Sequence, residues 1–432
     1  MAIEAAGKGF ATWSRMLAIE RFRIITAATR LLRQRTEIIA RILTTEQGKP
    51  LAESKREVSL AADIIDFLAE EAKRLPIRGV PARVPGILTQ TVHRVPVGAV
   101  GAFTPWNFPA NLPARKLGGA LSAGCSVILK PAEETPATAI EIARAFADSD
   151  LPAGVLNLIT GRPAEISKAL IEDPRIAKIS FTGSVPIGRQ LGELSARNLK
   201  RYTAELGGHA PVIIGPDMAA DTVATLCVTA KFRNAGQVCA SPIRFLVPRS
   251  EFGKFRDAFV AGARALKVGP GMDSTTQMGP LIHERRMRDI LEFVEDAKAQ
   301  GGQVLCGGTR LGDRGYFVAP TVIEGAPLAA RAQVEEPFGP LALIDAYDSV
   351  EEAIRRANAV RYGLAAYAFT RDLALAHRFQ EELRVGMVGI NHFGISQPET
   401  PFGGVKDSGF GQESGLEGLL AYTDVKLVSV AA

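Results

Sequence analysis

Cys239 stands in the stretch Phe232-Arg233-Asn234-Ala235-Gly236-Gln237-Val238-Cys239-Ala240-Ser241-Pro242-Ile243-Arg244-Phe245, between a polar loop and an apolar run. A thiol held there can act as a nucleophile, whereas most cysteines are small buried hydrophobes. The chain has four cysteines. Cys227 falls within the apolar helical stretch Val223–Val228 and reads as core, while Cys125 and Cys306 flank apolar strand residues beside glycine and could equally be small packing residues. Only Cys239 lies in a polar loop. A cysteine phosphatase would need five residues between cysteine and arginine. Cys239 and Arg244 are separated by four, and a strand begins where that loop should continue. A papain-like pairing needs a histidine partner, and none of the five histidines carries a local signature.

Four further segments follow apolar runs and could carry chemistry. Phe181-Thr182-Gly183-Ser184-Val185-Pro186-Ile187-Gly188 would open a helix, with Ser184 as cap and Pro186 in the first turn. Free N–H groups and the helix dipole there suit a phosphate, although a tight capped turn explains the same residues. Lys130-Pro131-Ala132-Glu133 offers a lysine and a carboxylate to a ribose, or is a solvated loop. Pro105-Trp106-Asn107-Phe108-Pro109 is rigid, and its Asn107 amide is the sort of fixed donor an oxyanion needs; a structural turn is the plainer reading. Glu205-Leu206-Gly207-Gly208 places a carboxylate beside two glycines, suited to a general base on water or to a charged turn.

The elements that must hold these residues change character along the chain. Residues 11 to 74 read as helices: one run from Ile19 to Leu43, stopped by Gly48-Lys49-Pro50, and a second from about Ala52 to Arg74. Prolines 76, 81 and 85 break this order, and Ile87 to Arg94 alternates as an exposed arm. From Val95, short apolar strands (97–103, 126–129, 155–159, 176–181) alternate with helical stretches (Leu112–Ala123, Thr135–Ala147, Ala164–Leu170), which predicts a doubly wound parallel sheet. A second alternation runs from Pro211 to Val388, and residues 422–430 read as a last strand.

A chain of 432 residues calls for at least two domains. Its net charge of +5, from 51 basic and 46 acidic residues, is too mild to argue for nucleic acid but suits an anionic ligand. No CxxC pair is present, which argues against a disulfide framework or metal site and for a reducing compartment. With no secretory signal pattern and no apolar run of membrane-span length, a cytoplasmic location is expected.

Taken in order, PWNFP, KPAE, FTGS, ELGG, GQVCA, EEPFGP and PFGGVKDSG resemble the aldehyde dehydrogenase superfamily over nearly the whole chain. The resemblance implies an α/β protein with two doubly wound α/β domains, Rossmann-like and catalytic, plus a small β oligomerisation arm. The cofactor domain would span 1–75 and 96–206, the arm 76–95 and 421–432, the catalytic domain 207–407 and a return segment 408–420. It makes Cys239 the nucleophile, Glu205 the general base and Asn107 the oxyanion donor. Thr104, Pro105 and Trp106 would line the cofactor, Lys130 and Glu133 would hold the adenosine ribose, and Gly183 with Ser184 the pyrophosphate. Glu336 and Phe338 would lie at the nicotinamide ribose and ring. Glu133 would accept a ribose 2′-OH and repel a 2′-phosphate, so NAD is expected over NADP. No metal is implied.

The phrases VGMVGINHFGIS and NLPARKLGGALSAGC resemble the succinate-semialdehyde dehydrogenase branch, in which Arg115, Arg233 and Ser396 match positions that bind a substrate carboxylate. Structural ion pairs are the alternative for these arginines, and glutarate or 2-oxoglutarate semialdehyde is the alternative substrate. Ser241 replaces a second cysteine found in some of that branch, so no redox switch is expected. Family members usually have several tens of residues ahead of the position of Met1, which leads to an expectation of unpaired edge groups in the cofactor sheet. A folded but inactive member is the competing class, and a CoA-acylating enzyme a third; the retained Glu205 favours hydrolysis. A homodimer or homotetramer is implied, and light scattering that returned the mass of one chain would contradict it.

Overall fold

The computed structural model describes residues 1–432. Its first four helices are Ala2–Trp13, Ala18–Gln34, Thr36–Gln47 and Leu51–Ala72. The run read as one helix from Ile19 to Leu43 is therefore two. Arg35, at φ −94° and ψ 8°, closes one and opens the next, a break that apolar spacing does not reveal. Gly48 ends the third helix in the left-handed conformation at φ 96°, and Pro50 precedes the fourth, as expected.

The strand Ala99–Phe103 lies inside a six-stranded sheet. It pairs in parallel with Ser126–Lys130 on one side and Ile176–Thr182 on the other. Leu156–Leu158 forms one edge, while Arg201–Glu205 and then the antiparallel Gly409–Phe410 complete the other. Ala99–Phe103 and Ser126–Lys130 are buried along their whole length. That burial is why they read as continuous apolar runs instead of alternating: helices cover both faces of a parallel sheet. Because the chain leaves the central strand in both directions, the carboxyl ends of Ala99–Phe103, Ser126–Lys130 and Ile176–Thr182 adjoin. Ligands of open α/β sheets gather at such a reversal.

The second sheet has seven strands, in the order Gln303–Cys306, Thr321–Glu324, Leu341–Tyr347, Pro242–Pro248, Ala210–Ile214, Ala365–Phe369, Met387–Ile390. All its pairs are parallel except the first. A separate three-stranded antiparallel sheet joins Arg78–Gly79, Ile87–Pro96 and Thr423–Ala431. Its outer face leaves Leu88, Val425 and Leu427 well exposed, more apolar surface than a lone ribbon needs. No helix is long and apolar enough to cross a membrane.

Candidate active site

Cys239 sits between a short 3-10 turn, Arg233–Gly236, and the strand Pro242–Pro248. Asn234, Ala235 and Gly236 take φ values of 48°, 53° and 72°, three left-handed residues in a row. For Ala235 this is a strained conformation, held because the surroundings fix the loop on every side. Gln237 Nε2 donates to the Asn234 carbonyl at 3.1 Å, Ile282 N donates to Gln237 Oε1 at 3.0 Å, and the Tyr367 hydroxyl donates to the Ala240 carbonyl at 2.8 Å. The thiol is half-buried, whereas Cys125 and Cys227 are fully buried and Cys306 donates toward the Pro320 carbonyl.

Glu205 ends the strand Arg201–Glu205 and is 1% exposed, with neither carboxylate oxygen hydrogen-bonded. Burial and then the Glu413 carboxylate push its pKa well above the ordinary value, against the pull of Arg115 and Lys116. Burial likewise raises the Cys239 thiol, with Glu205 and Glu336 adding to the effect and Arg115 opposing it. The Cys239 thiol is therefore sensitive to the charge on Glu205, and Arg115 favours the ionised form of both groups.

The two glycines after Glu205 serve close packing. A Cβ on Gly207 would collide with the Glu336 carboxylate, and one on Gly208 with the Cys239 carbonyl oxygen. Gly208 N donates to Glu336 Oε1 at 3.0 Å, and burial raises the Glu336 carboxyl to about 7. The structure thus brings the ELGG, GQVCA and EEPFGP segments together. Asn107 joins them: its amide Nδ2 donates to the Gln237 carbonyl at 3.1 Å, while Oδ1, buried, has no partner.

Arg115 is 3% exposed on the helix Asn111–Ala123. Its guanidinium donates to the hydroxyls of Ser414 and Ser396, the latter at 2.7 Å, and lies 4.4 Å over the Phe402 ring. It makes no ion pair. Ser414 holds φ 57° and ψ 177°, a region that disfavours side chains, so its hydroxyl is presented at a conformational cost. Arg233 is exposed, its guanidinium 5.3 Å from the Phe108 ring centre, and it too has no carboxylate partner.

The residues expected at a dinucleotide cluster on the reversal of the six-stranded sheet. Thr104 N donates to the Lys130 carbonyl at 3.2 Å, and Lys130 is ion-paired with Glu133. Pro105 and Trp106 follow, and the Trp106 ring meets the Phe338 ring edge-on at 5.5 Å. Gly183 and Ser184 open the helix Val185–Arg197. Two details differ from the sequence reading. Ser184 occupies the N-cap position, but its side chain makes no capping bond and is exposed. The Gly183 N–H is already donated to the Glu205 carbonyl at 3.0 Å, because the sheet continues one residue further than the turn suggested. The Gly183 amide is therefore not free to meet an anion at that turn.

The buried pair Lys116–Glu413 was not anticipated. Lys116 Nζ meets Glu413 at 2.5 Å and donates to Ser180 Oγ at 3.0 Å, with both side chains almost wholly enclosed. Removing one partner of such a pair costs about 3–5 kcal/mol. A lysine inside a helix of small and apolar residues was the available signal, since a buried ammonium requires a partner. Ser241, two residues after Cys239, accepts from the buried Lys231 Nζ at 3.2 Å.

Comparison with known proteins identifies the family and the fold. The family model for the aldehyde dehydrogenase family matches residues 1–428. A 4-(hydroxymethyl)benzenesulfonate dehydrogenase of Comamonas testosteroni is 48% identical over 432 residues, which is 100% of this chain and 90% of that protein. A succinate semialdehyde dehydrogenase of Acinetobacter baylyi is 41% identical over 425 residues, 98% of this chain and 88% of that one. The crystal structure of an NADP-dependent enzyme of E. coli superposes with a TM-score of 0.98 at 38% identity, covering 100% of this chain and 89% of that one. With its motifs on this fold and a family match along almost its entire length, the chain belongs to the aldehyde dehydrogenase family, whose members oxidise small aldehydes with NAD(P).

Proposed function

We propose that the protein oxidises an aldehyde bearing an anionic group to its carboxylic acid, through a thioester on Cys239. The observation that carries the substrate class is Arg115: a buried guanidinium with two hydroxyl partners and no counter-ion. A buried charge needs compensation, and a substrate carboxylate or sulfonate supplies it with parallel hydrogen bonds. Arg233, exposed and without a carboxylate partner, would add positive charge beside the Cys239 loop. Succinic semialdehyde is the aliphatic candidate, with glutarate and 2-oxoglutarate semialdehydes as homologues. The relatives named for 4-(hydroxymethyl)benzenesulfonate, and the Phe402 and Phe108 rings beneath the two guanidiniums, favour an arylsulfonate aldehyde as the second reading.

The chemistry follows from residue types. Cys239 sulfur adds to the aldehyde carbon, and its proton passes to a base as the carbonyl oxygen takes negative charge. The Asn107 amide and the Cys239 backbone N–H hold that oxygen. Lys130, Glu133, Ser184, Glu336, Trp106 and Phe338 fit a nicotinamide dinucleotide laid across the sheet reversal, and the bound group supplies the hydride acceptor. Glu205, its oxygens free of partners, takes a proton from water as the hydroxyl adds to the acyl carbon and Cys239 leaves. The exposed apolar face of the three-stranded sheet supports the homo-oligomer that the family resemblance implies.

Two outcomes test substrate and cofactor. Arg115→Met is expected to lower kcat/KM for succinic semialdehyde or 4-formylbenzenesulfonate about 100-fold, while an uncharged aldehyde of similar length loses at least about tenfold less, its loss coming from the pull of Arg115 on Glu205 and Cys239. An equal loss on both would refute the anion clamp. For the cofactor, NAD is preferred because the Glu133 carboxylate would face a 2′-phosphate. Glu133→Ser should raise the NADP-to-NAD ratio of kcat/KM by about tenfold or more. An unchanged ratio would remove Glu133 from cofactor choice.

A further inference from the structure

Gly48-Lys49-Pro50 reads in sequence as a helix stop, yet Lys49 is among the most deeply buried charges in the molecule. Its side chain is 0% exposed. The ammonium donates to Glu57 Oε2 at 2.6 Å and to the Asn107 backbone carbonyl at 2.7 Å, and sits 4.0 Å over the Phe108 ring. Glu57 turns its other oxygen to the next residues of the same loop, accepting from Ala110 N at 2.9 Å and Asn111 N at 3.3 Å. The pair thus grips Asn107 to Asn111 from both ends.

The grip continues into the nucleophile loop. The Asn107 carbonyl also accepts from Asn234 Nδ2 at 3.0 Å, and the same Nδ2 reaches the Gln237 carbonyl at 3.2 Å. Asn107 Nδ2 donates to that Gln237 carbonyl as well, two residues before Cys239. Asn234 N donates in turn to Glu53, one helical turn before Glu57. Lys49 therefore bonds the main chain of Asn107, whose side-chain amide faces the thiol loop.

We infer that Lys49, braced by Glu57, is a positioning residue for the oxyanion donor: it fixes the Asn107 main chain so that the amide and the Cys239 loop keep one register. A buried ion pair is weak evidence for a stability role, because well-packed apolar side chains do that task as well or better. Here the second N–H of the ammonium is directed at a single carbonyl, and an apolar replacement would leave that carbonyl held by the Asn234 amide alone. The inference rests on the reading of Asn107 as oxyanion donor, and the test separates the two.

The test compares Lys49→Met, Asn107→Ala and the double variant in kcat for aldehyde oxidation and in KM for NAD. Loss of one oxyanion donor lowers kcat about 10²–10³-fold, and that is the result expected for Asn107→Ala. Lys49→Met should lower kcat about 10- to 100-fold with KM for NAD changed less than about twofold, the pattern of a misplaced catalytic group. The double variant should then match Asn107→Ala, because Lys49 acts only through that residue. A double loss equal to the product of the single losses would overturn the inference and leave the Asn107 reading intact. A loss below about threefold for Asn107→Ala alone would overturn both. Glu57→Gln, which keeps the shape and removes the brace, serves in the same comparison if Lys49→Met does not fold.

Discussion

Cys239→Ala is expected to lower aldehyde-dependent NADH formation by about 10⁴-fold or more, since removing a covalent nucleophile removes the pathway itself. The other cysteines cannot replace it. Cys125 and Cys227 are 0% exposed, with burial raising both thiols, and Cys306 is the last residue of the antiparallel edge strand of the second sheet. Cys239 alone shares its surroundings with a buried unpartnered carboxyl, an amide donor and a counter-ion-free arginine. The substitution removes a half-buried thiol, so thermal stability and NAD binding should stay near those of the parent protein. Melting curves and cofactor titration check this, and full activity in the variant would refute the nucleophile assignment.

Glu205→Gln has the second largest expected effect, and it falls on one half of the reaction. Acylation and hydride loss need the thiol and the oxyanion donors, whereas release of the acid needs a base on water. Rapid mixing should therefore give a burst of about one NADH per Cys239, followed by a steady rate about 10²–10⁴-fold below that of the parent. The pH profile gives a second readout. Burial raises the Glu205 pKa, so the protonated, inactive form persists to higher pH than for an ordinary carboxylate. Turnover of the parent should rise with pH through that elevated pKa, and this limb should be absent in the glutamine variant. If CoA restored a fast steady rate to the variant, the acyl group would be going to a thiol and not to water.

Much of this was legible in sequence because the chemistry sits on short contiguous motifs at strand ends. PWNFP, KPAE, FTGS and ELGG each lie at the carboxyl end of a strand, and apolar runs bounded by glycine and proline locate such ends. What escaped depends on residues that meet across long separations. Lys116 and Glu413 lie 297 positions apart, and Lys49 reaches Asn107 across 58. Neither pair leaves a periodic trace, because a single buried ion pair imposes no repeat. The sequence reading also assigned local roles that the tertiary structure reassigns. Gly207 and Gly208 make room for Glu336 and the Cys239 main chain, and the Gly183 amide is consumed by the strand beside it. Arg35 divides two helices whose apolar faces run on without interruption, so only the backbone shows the break.

The most direct test of a hydrolytic mechanism through Cys239 is the mass of Glu205→Gln after mixing with NAD and the preferred aldehyde. With deacylation blocked, the protein is expected to gain the mass of one acyl group, on the peptide that contains Cys239. An unmodified protein that has nevertheless formed NADH, or an adduct on any other residue, would contradict it.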